Sequence, residues 1–509
     1  MTTNEMARTR RPETSGSLRA GARATGLLGV LVAAGLAAAG CAAAPPTANA
    51  AMQAKLLYQE PLLTDDGWAT ASLNEVGMSA EPVEALLSTL AMENGRDVNG
   101  LLVVKDGRLV LEAYYPGEDV TVEDDLTFTY KEFDRDTLHC LASVSKSVTS
   151  LLFGIAVDRG NIADLDEPVS ATFPEYPQWQ DDLKGQVTLR QLLSMTAGLD
   201  WDEDSYSYDD PRNDFHRMFD GLDPIGYLLE KPVVAKPGTA FLYSSGVTNL
   251  LGEAVSRKVG MPLAEYARIH LFSPLGITSY DWRTFPHSPE MAVAGGLLYL
   301  RPRDMAKIGQ MVLQQGAWDG RQIISQAWIE ESTAEAEPVS MDLGPGLQPS
   351  GYGYQWWRGT LATGETEAIY AAGWRGQFIF ILPRVHTVIV LTGSDSTVTY
   401  AGILDLVNRH ILASILGLPI AAADFGVTLS VPTDPGKVVE IHGGPGKDYP
   451  AVGQLEPGAV ISIQGRNDEL GLDAMWLQIP PNGWIWLEDV GPAGWLRGNL
   501  ANLPVVGAP

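Results

Sequence analysis

The chain is expected to fold as an α+β protein: an antiparallel sheet flanked by helices, with a helical subdomain and then a small all-β domain. Two observations predict this. First, β-rich runs occur early, at 100–115, and late, at 377–392, with helices and loops between them. The sheet must therefore pair segments distant in sequence, and the helices must lie beside it instead of alternating with its strands. Second, beyond about residue 427 short β runs alternate with Gly/Pro turns, and Trp476, Trp484, Trp486 and Trp495 crowd together. That change of texture marks a separate small barrel-like domain, 428–509.

The first sixty residues are not expected to enter the fold. Arg8, Arg10, Arg11, Arg19 and Arg23 form a basic leader before the apolar stretch 26–40. That stretch is shorter than the roughly 20 residues that span a bilayer and suits the apolar core of a secretory signal. Ala38-Ala39-Gly40-Cys41 is lipobox-like. Residues 1–41 are thus expected to be a signal peptide, with Cys41 lipidated as the mature N-terminus. Cleavage near Ala43 or Ala50, giving a secreted form, is the alternative. Either way the protein is expected outside the cytoplasm, touching membrane only through the lipid. The Ala/Pro-rich stretch 42–60 reads as a tether.

The region 61–420 carries the main domain. Val83, Leu86, Leu87 and Leu90 give 80–93 a helical spacing. The runs 100–105 and 108–115 flank Asp106-Gly107, a hairpin signal. The apolar run 151–157 reads as a buried helix. The stretch 187–195 reads as a strand end entering a helix closed by Gly198. Helices are expected at 304–315 and 326–331. Two strands, 377–382 and 387–392, flank a Pro383–His386 turn, and 404–416 closes the domain as a helix.

The helix at 151–157 is opened by Ser143-Val144-Ser145-Lys146. Positions i and i+3 share a helix face, so the hydroxyl and the amine can meet. A buried amine loses the water that stabilises its charge, so it can serve as a base and activate the serine for acyl transfer. The plain alternatives are a helix cap for Ser143 and a snorkelling surface lysine. A third polar group must relay the proton. Tyr243, in Tyr243-Ser244-Ser245 after a Pro237-Gly238 turn, is the candidate, with a core aromatic as its alternative. An oxyanion needs backbone N–H donors. Ser143 supplies one, and the segment 371–377, whose Gly373 and Gly376 allow close backbone approach, is placed for the other.

These motifs, in order, resemble the serine β-lactamase-related family: class C β-lactamases, DD-peptidases, esterases and 6-aminohexanoate-dimer hydrolases. The resemblance is carried by Ser143-x-x-Lys146, Asn161–Val169, Leu189–Trp201, Pro237-Gly238 with Tyr243–Ser245, Gly351–Trp357 and Gly373–Gln377. It implies a β-lactamase/transpeptidase-like fold, Ser143 as nucleophile, Lys146 as base and Tyr243 as proton shuttle. It also implies that the Ser143 and Trp374 N–H groups form the oxyanion hole, and that Ser245, Gly373 and Arg375 contact substrate. Ser245 stands where the family often has asparagine. Ala371-Ala372-Gly373 replaces a motif that begins with lysine or histidine, so the cation that grips a β-lactam carboxylate is missing. Both departures favour the branch that hydrolyses small amides or esters. A penicillin-binding DD-peptidase or β-lactamase is one alternative, and an inactive wall-binding lipoprotein is another. The tail, 439–495, resembles a bacterial SH3 domain, which makes cell-wall peptide its candidate ligand. Its tryptophans also suit a plain core.

Composition narrows the partners. A net charge of −27 repels phosphate backbones, so no nucleic-acid partner is expected. The seven histidines show no metal-ligand spacing, and neither metal nor cofactor is expected. Cys140 reads as a small buried filler. The acidic, aromatic run 200–210 reads either as a solvated loop or as carboxylates that draw an amine-bearing substrate.

Overall fold

The computed structural model describes residues 58–418, apart from short internal stretches, and separate strands between 428 and 497. The leader, Cys41 and residues 42–57 of the tether lie outside the described residues; at the tether's end Tyr58 instead joins the fold, its hydroxyl donating to the Val110 carbonyl at 3.0 Å and accepting from the Leu73 N–H at 3.2 Å.

A two-residue edge strand β1 (Ala69–Thr70) precedes α1 (Ala80–Met92), whose Val83, Leu86, Leu87 and Leu90 are all buried. The expected hairpin is β2 (Val98–Lys105) and β3 (Arg108–Tyr114). Asp106 and Gly107 turn it with φ of 50° and 77°, the left-handed pair that a two-residue loop requires. A second hairpin follows that the sequence reading omits: β4 (Gly117–Val122) and β5 (Leu126–Lys131). Then α2 (Val144–Asp158) runs buried from Val144 to Ala156.

In the helical region α3 (Leu189–Leu193) starts at a capping box between Thr188 and Gln191. The strand end expected at 187 reduces to one bridge, Pro168 to Thr188. α4 (Ser245–Val259), α5 (Pro302–Leu313) and α6 (Gln326–Thr333) complete the helices used below. The chain then returns to strands: β6 (Glu337–Pro338), β7 (Leu347–Tyr352), β8 (Trp357–Leu361), β9 (Thr366–Gly373), β10 (Gln377–Leu382) and β11 (Thr387–Gly393). The closing helix passes through Ala401–Leu406, a π segment Val407–Leu412 and Ala413–Leu416.

Among the described residues these strands form one sheet in the order β1-β3-β2-β11-β10-β9-β8-β7-β6. The early hairpin joins the late one through the antiparallel pair β2–β11, with Val103 opposite Ile389. Every residue of β10 and β11 is buried. Strands covered on both faces carry continuous apolar runs, which is why these two were legible without alternation. α5 packs across β2, β10 and β11, while α2 packs against β9, β10 and α4. The last of these contacts places the site at the seam between sheet and helical region.

Beyond residue 428 the described residues form strands. Val439–His442, Ala451–Leu455, Gly465–Arg466, Trp476–Ile479 and Gly483–Trp486 make one antiparallel sheet, and three shorter strands make another. Trp476 and Trp484 are buried, and Trp476 stacks on Trp486 at 6.4 Å.

Candidate active site

Ser143 sits at the entrance of α2, directly after Ala142, whose φ of 45° is unusual for a residue with a Cβ. One helical turn on, the Lys146 amine lies 2.8 Å from Ser143 Oγ. The two groups therefore meet as the i, i+3 spacing predicts. Lys146 is 1% exposed. Its Nζ has two further neighbours, Ser245 Oγ at 2.8 Å and the Gly295 carbonyl oxygen at 2.7 Å. Ser245 is there because it opens α4, which is capped by Ser244 and packed on α2. The Gly295 carbonyl is held in place by the Gly295 N–H, which donates to the Asn249 side chain at 2.8 Å.

Burial pulls the Lys146 amine from 10.5 down to about 8, and the nearby carboxylates of Glu203 and Asp204 oppose that fall. The Tyr243 hydroxyl is close enough to Ser143 for that side chain to act on its acidity. Its ring lies 4.9 Å from Lys146 Nζ and stacks on Trp357 at 5.8 Å. Burial first, then Tyr352 and Glu203, push this phenol well above its ordinary value; the Ser143 side chain pulls the other way. Tyr243 is thus a neutral phenol at physiological pH.

Gly373 ends β9 against the nucleophile's backbone. A Cβ at this position would lie 2.4 Å from the Leu141 carbonyl oxygen and 3.2 Å from the Ser143 nitrogen. Trp374 follows and lines the cavity beside Ser143. The Arg375 side chain is committed elsewhere: Nη2 donates to Glu118 at 2.6 Å and to the Ser394 carbonyl at 2.7 Å, and the guanidinium lies over Phe128. It ties the β4–β5 hairpin to the end of β11 and is not among the cavity-lining residues.

The cavity has a volume of about 150 Å³. Its wall is mainly apolar or small, from Val120, Phe215, Phe219, Leu297 and Trp374, with Cys140 at one side. Asp209, His216 and Asp220 are the ionisable side chains that line it besides Cys140 and Tyr208. Burial pushes the Cys140 thiol up to about 11, so it stays protonated. Trp374 meets Tyr208 of the acidic loop at 5.4 Å and Phe128 of the β4–β5 hairpin at 6.2 Å.

The acidic loop is built, not loosely solvated. Asn213 caps the short helix Asp214–Phe219 and donates to the carbonyls of Glu203 and Tyr206. Asp214 is buried, accepting from the Asp202 N–H at 2.8 Å and paired with Lys231. Within this loop sits a site residue that sequence reasoning missed. Glu203 is 3% exposed and accepts from Ser245 Oγ at 2.8 Å, from Ser245 N–H at 2.9 Å and from Trp201 Nε1 at 2.6 Å. Its nearest sequence signal is Trp201 two positions earlier, an anchor that the other carboxylates of the run also flank. Among the described residues no group of three or more His, Cys, Asp or Glu side chains is placed to hold a metal ion.

Comparison with known proteins shows what the chain is similar to. The 6-aminohexanoate-dimer hydrolase of Paenarthrobacter ureafaciens is 29% identical over 279 residues, covering 52% of this chain and 67% of that enzyme. The monacolin J acid methylbutanoyltransferase of Aspergillus terreus is 29% identical over 172 residues, and the match spans 38% of its length. A solved Bacillus anthracis structure, provisionally named a 6-aminohexanoate-dimer hydrolase, superposes with a TM-score of 0.53 at 22% identity, covering 72% of this chain and 93% of its own. That superposition establishes the β-lactamase-type α+β fold. The beta-lactamase family model matches residues 83–406, well over half of the sequence, and the chain belongs to the beta-lactamase family of serine hydrolases.

Proposed function

We propose that the protein is an exported hydrolase that cleaves small amides or esters through an acyl-enzyme on Ser143. The observation that carries this reading is the 2.8 Å approach of a buried, pKa-depressed lysine to the serine hydroxyl. Neutral Lys146 takes the Ser143 proton as Oγ bonds to the substrate carbonyl carbon. The carbonyl oxygen becomes an oxyanion, held by the Ser143 and Trp374 N–H groups. Collapse breaks the bond to the leaving amine or alcohol. Tyr243, a neutral phenol, gives that group its proton and is reloaded from Lys146. Water then attacks the ester by the same route reversed and restores Ser143.

The cavity favours a short, apolar acyl group, since about 150 Å³ is known to accept a benzene-sized group. Asp209 and Asp220 in the cavity lining favour an amino group on the substrate, as in the aminohexanoate dimers named for the Paenarthrobacter relative. No lysine or arginine lines the cavity among the described residues, and Arg375 is occupied by Glu118. That disfavours an anionic β-lactam. The basic leader and Cys41 support export with a lipid anchor, and the tryptophan-rich strands of the tail support an SH3-like wall-binding module.

The test is fluorophosphonate labelling and p-nitrophenyl acetate turnover, wild type against Ser143→Ala, followed by short esters, aminohexanoate oligomers, D-Ala-D-Ala peptides and nitrocefin. Labelling and turnover in the wild type alone support the reading. Absence of both in the wild type overturns it in favour of a wall-binding protein.

A further inference from the structure

We propose that Glu203 is a positioning residue: it fixes the Ser245 hydroxyl so that Lys146 has nothing but its lone pair to turn toward Ser143. This rests on the acyl-enzyme reading above. The geometry supplies the reason. An ionised carboxylate accepts hydrogen bonds and donates none. Ser245 Oγ lies 2.8 Å from Glu203 Oε1, so the serine proton must point at Glu203. Ser245 Oγ can then act toward Lys146 solely as an acceptor, across 2.8 Å. The Gly295 carbonyl, 2.7 Å away, is likewise solely an acceptor.

A neutral amine has two N–H bonds and one lone pair. Its two protons are claimed by Ser245 and Gly295. The remaining direction faces Ser143 Oγ at 2.8 Å, and what occupies it is the lone pair. If the Ser245 hydroxyl were free to turn, it could donate to that lone pair and silence the base. The carboxylate is itself held from the other side: Oε2 accepts from the Ser245 N–H and from the Trp201 indole. It is therefore locked in place and nine-tenths or more buried.

A glutamine at 203 would reverse the array. Its carbonyl must face the Ser245 and Trp201 N–H donors, so its amide N–H meets Ser245 Oγ. Ser245 would then donate toward Lys146. Glu203→Gln also removes one of the two carboxylates that hold the Lys146 pKa up. Exposed Asp204 remains, and Tyr243, whose ring lies 4.9 Å from Lys146 Nζ, stays neutral. The variant should thus lose rate and shift its pH dependence together.

The experiment measures the rate of Ser143 labelling by a fluorophosphonate from pH 6 to pH 10, in wild type and Glu203→Gln. The expected result is a plateau about tenfold lower or more, with the acid limb displaced to lower pH. On a Ser245→Ala background the same substitution should cost less than about threefold, because the hydroxyl it orients is gone. A Glu203→Gln plateau within about twofold of wild type overturns the proposal. So does a loss of plateau with an unmoved limb, which marks a purely structural role. If Glu203→Gln fails to fold, Ser245→Ala alone must lower the plateau about tenfold or the proposal falls. Absence of any labelling in the wild type overturns the acyl-enzyme reading itself, a separate outcome.

Discussion

The sharpest consequence of the site is its pH dependence. Lys146 works as a base only when uncharged, and burial sets its pKa at about 8. At pH 7 about one molecule in ten then carries the neutral amine, and at pH 9 about nine in ten. Because the folded value is depressed, the active form gains population as pH rises through 8. The acylation rate should climb about tenfold from pH 7 to pH 9 and fall about tenfold per unit below pH 7. Tyr243 does not interfere: its phenol is pushed well above the ordinary tyrosine value and stays protonated across this window. An exposed lysine near its usual 10.5 would behave differently. It would be neutral in only about one molecule in three thousand at pH 7, with the rate still rising at pH 10. The assay is the pre-steady-state release of p-nitrophenol, with Ser143→Ala supplying the background at each pH. A flat profile from pH 6 to 9, or a midpoint above about 9.5, would refute the assignment of Lys146 as base.

Other substitutions test the frame around it. Gly373→Ala places a methyl 2.4 Å from the Leu141 carbonyl oxygen, so the strand end and the Ser143 turn must separate. The expected cost is about 1–3 kcal/mol of stability and about a hundredfold in acylation, read by Tm and labelling rate. Arg375→Ala releases the β4–β5 hairpin from Ser394 and Glu118. It should destabilise by about 1–3 kcal/mol while changing kcat/KM only a few-fold; a rate loss without a Tm loss would instead put this residue on the substrate. Asp209→Asn with Asp220→Asn should raise KM for amine-bearing acyl substrates and leave neutral esters unchanged, compared in paired steady-state assays. A chain ending at residue 420 should keep wild-type ester turnover yet lose retention on peptidoglycan, measured by co-sedimentation.

The parts of the fold legible in the sequence are those whose pattern is local. The Asp106-Gly107 turn, the apolar stripe of α1 and the continuous runs of β10 and β11 each declare themselves within a few residues. β7 and β8 did not. Their residues lie in Gly351-Tyr-Gly-Tyr-Gln-Trp-Trp357 and its flanks, where glycine and aromatics blur both periods, and pairing of β8 with β9 and of β7 with β8 makes them strands. The same split holds in the site. Ser143 and Lys146 are one turn apart, so spacing alone brings them together. Tyr243 and Ser245 arrive from about a hundred residues away, and motif order found them where periodicity could not. Glu203 escaped because sequence does not say which of several adjacent carboxylates turns inward. Trp201 and Asn213 decide that through hydrogen bonds made only after folding. For Arg375 the sequence gives no sign of its partner: the carboxylate that its guanidinium meets, Glu118, lies 257 positions earlier.

Burial and charge act on Lys146 in opposite senses, and the chemistry needs both. An amine taken out of water with no compensation would be neutral, but it would hold poorly the proton it takes from Ser143. An amine paired directly with a carboxylate would keep its proton and never act as base. Here the carboxylate stands one hydroxyl away. Glu203 bonds to Ser245, and Ser245 bonds to Lys146, each across 2.8 Å. The negative charge is close enough to oppose desolvation and too far to form an ion pair, which leaves the amine near 8. Once the amine is protonated, Ser245, Gly295 and the Ser143 oxygen can each accept one of its three N–H bonds. Both protonation states therefore find a complete set of partners without movement of the backbone, which is the condition for a group that must take a proton and return it in every turnover.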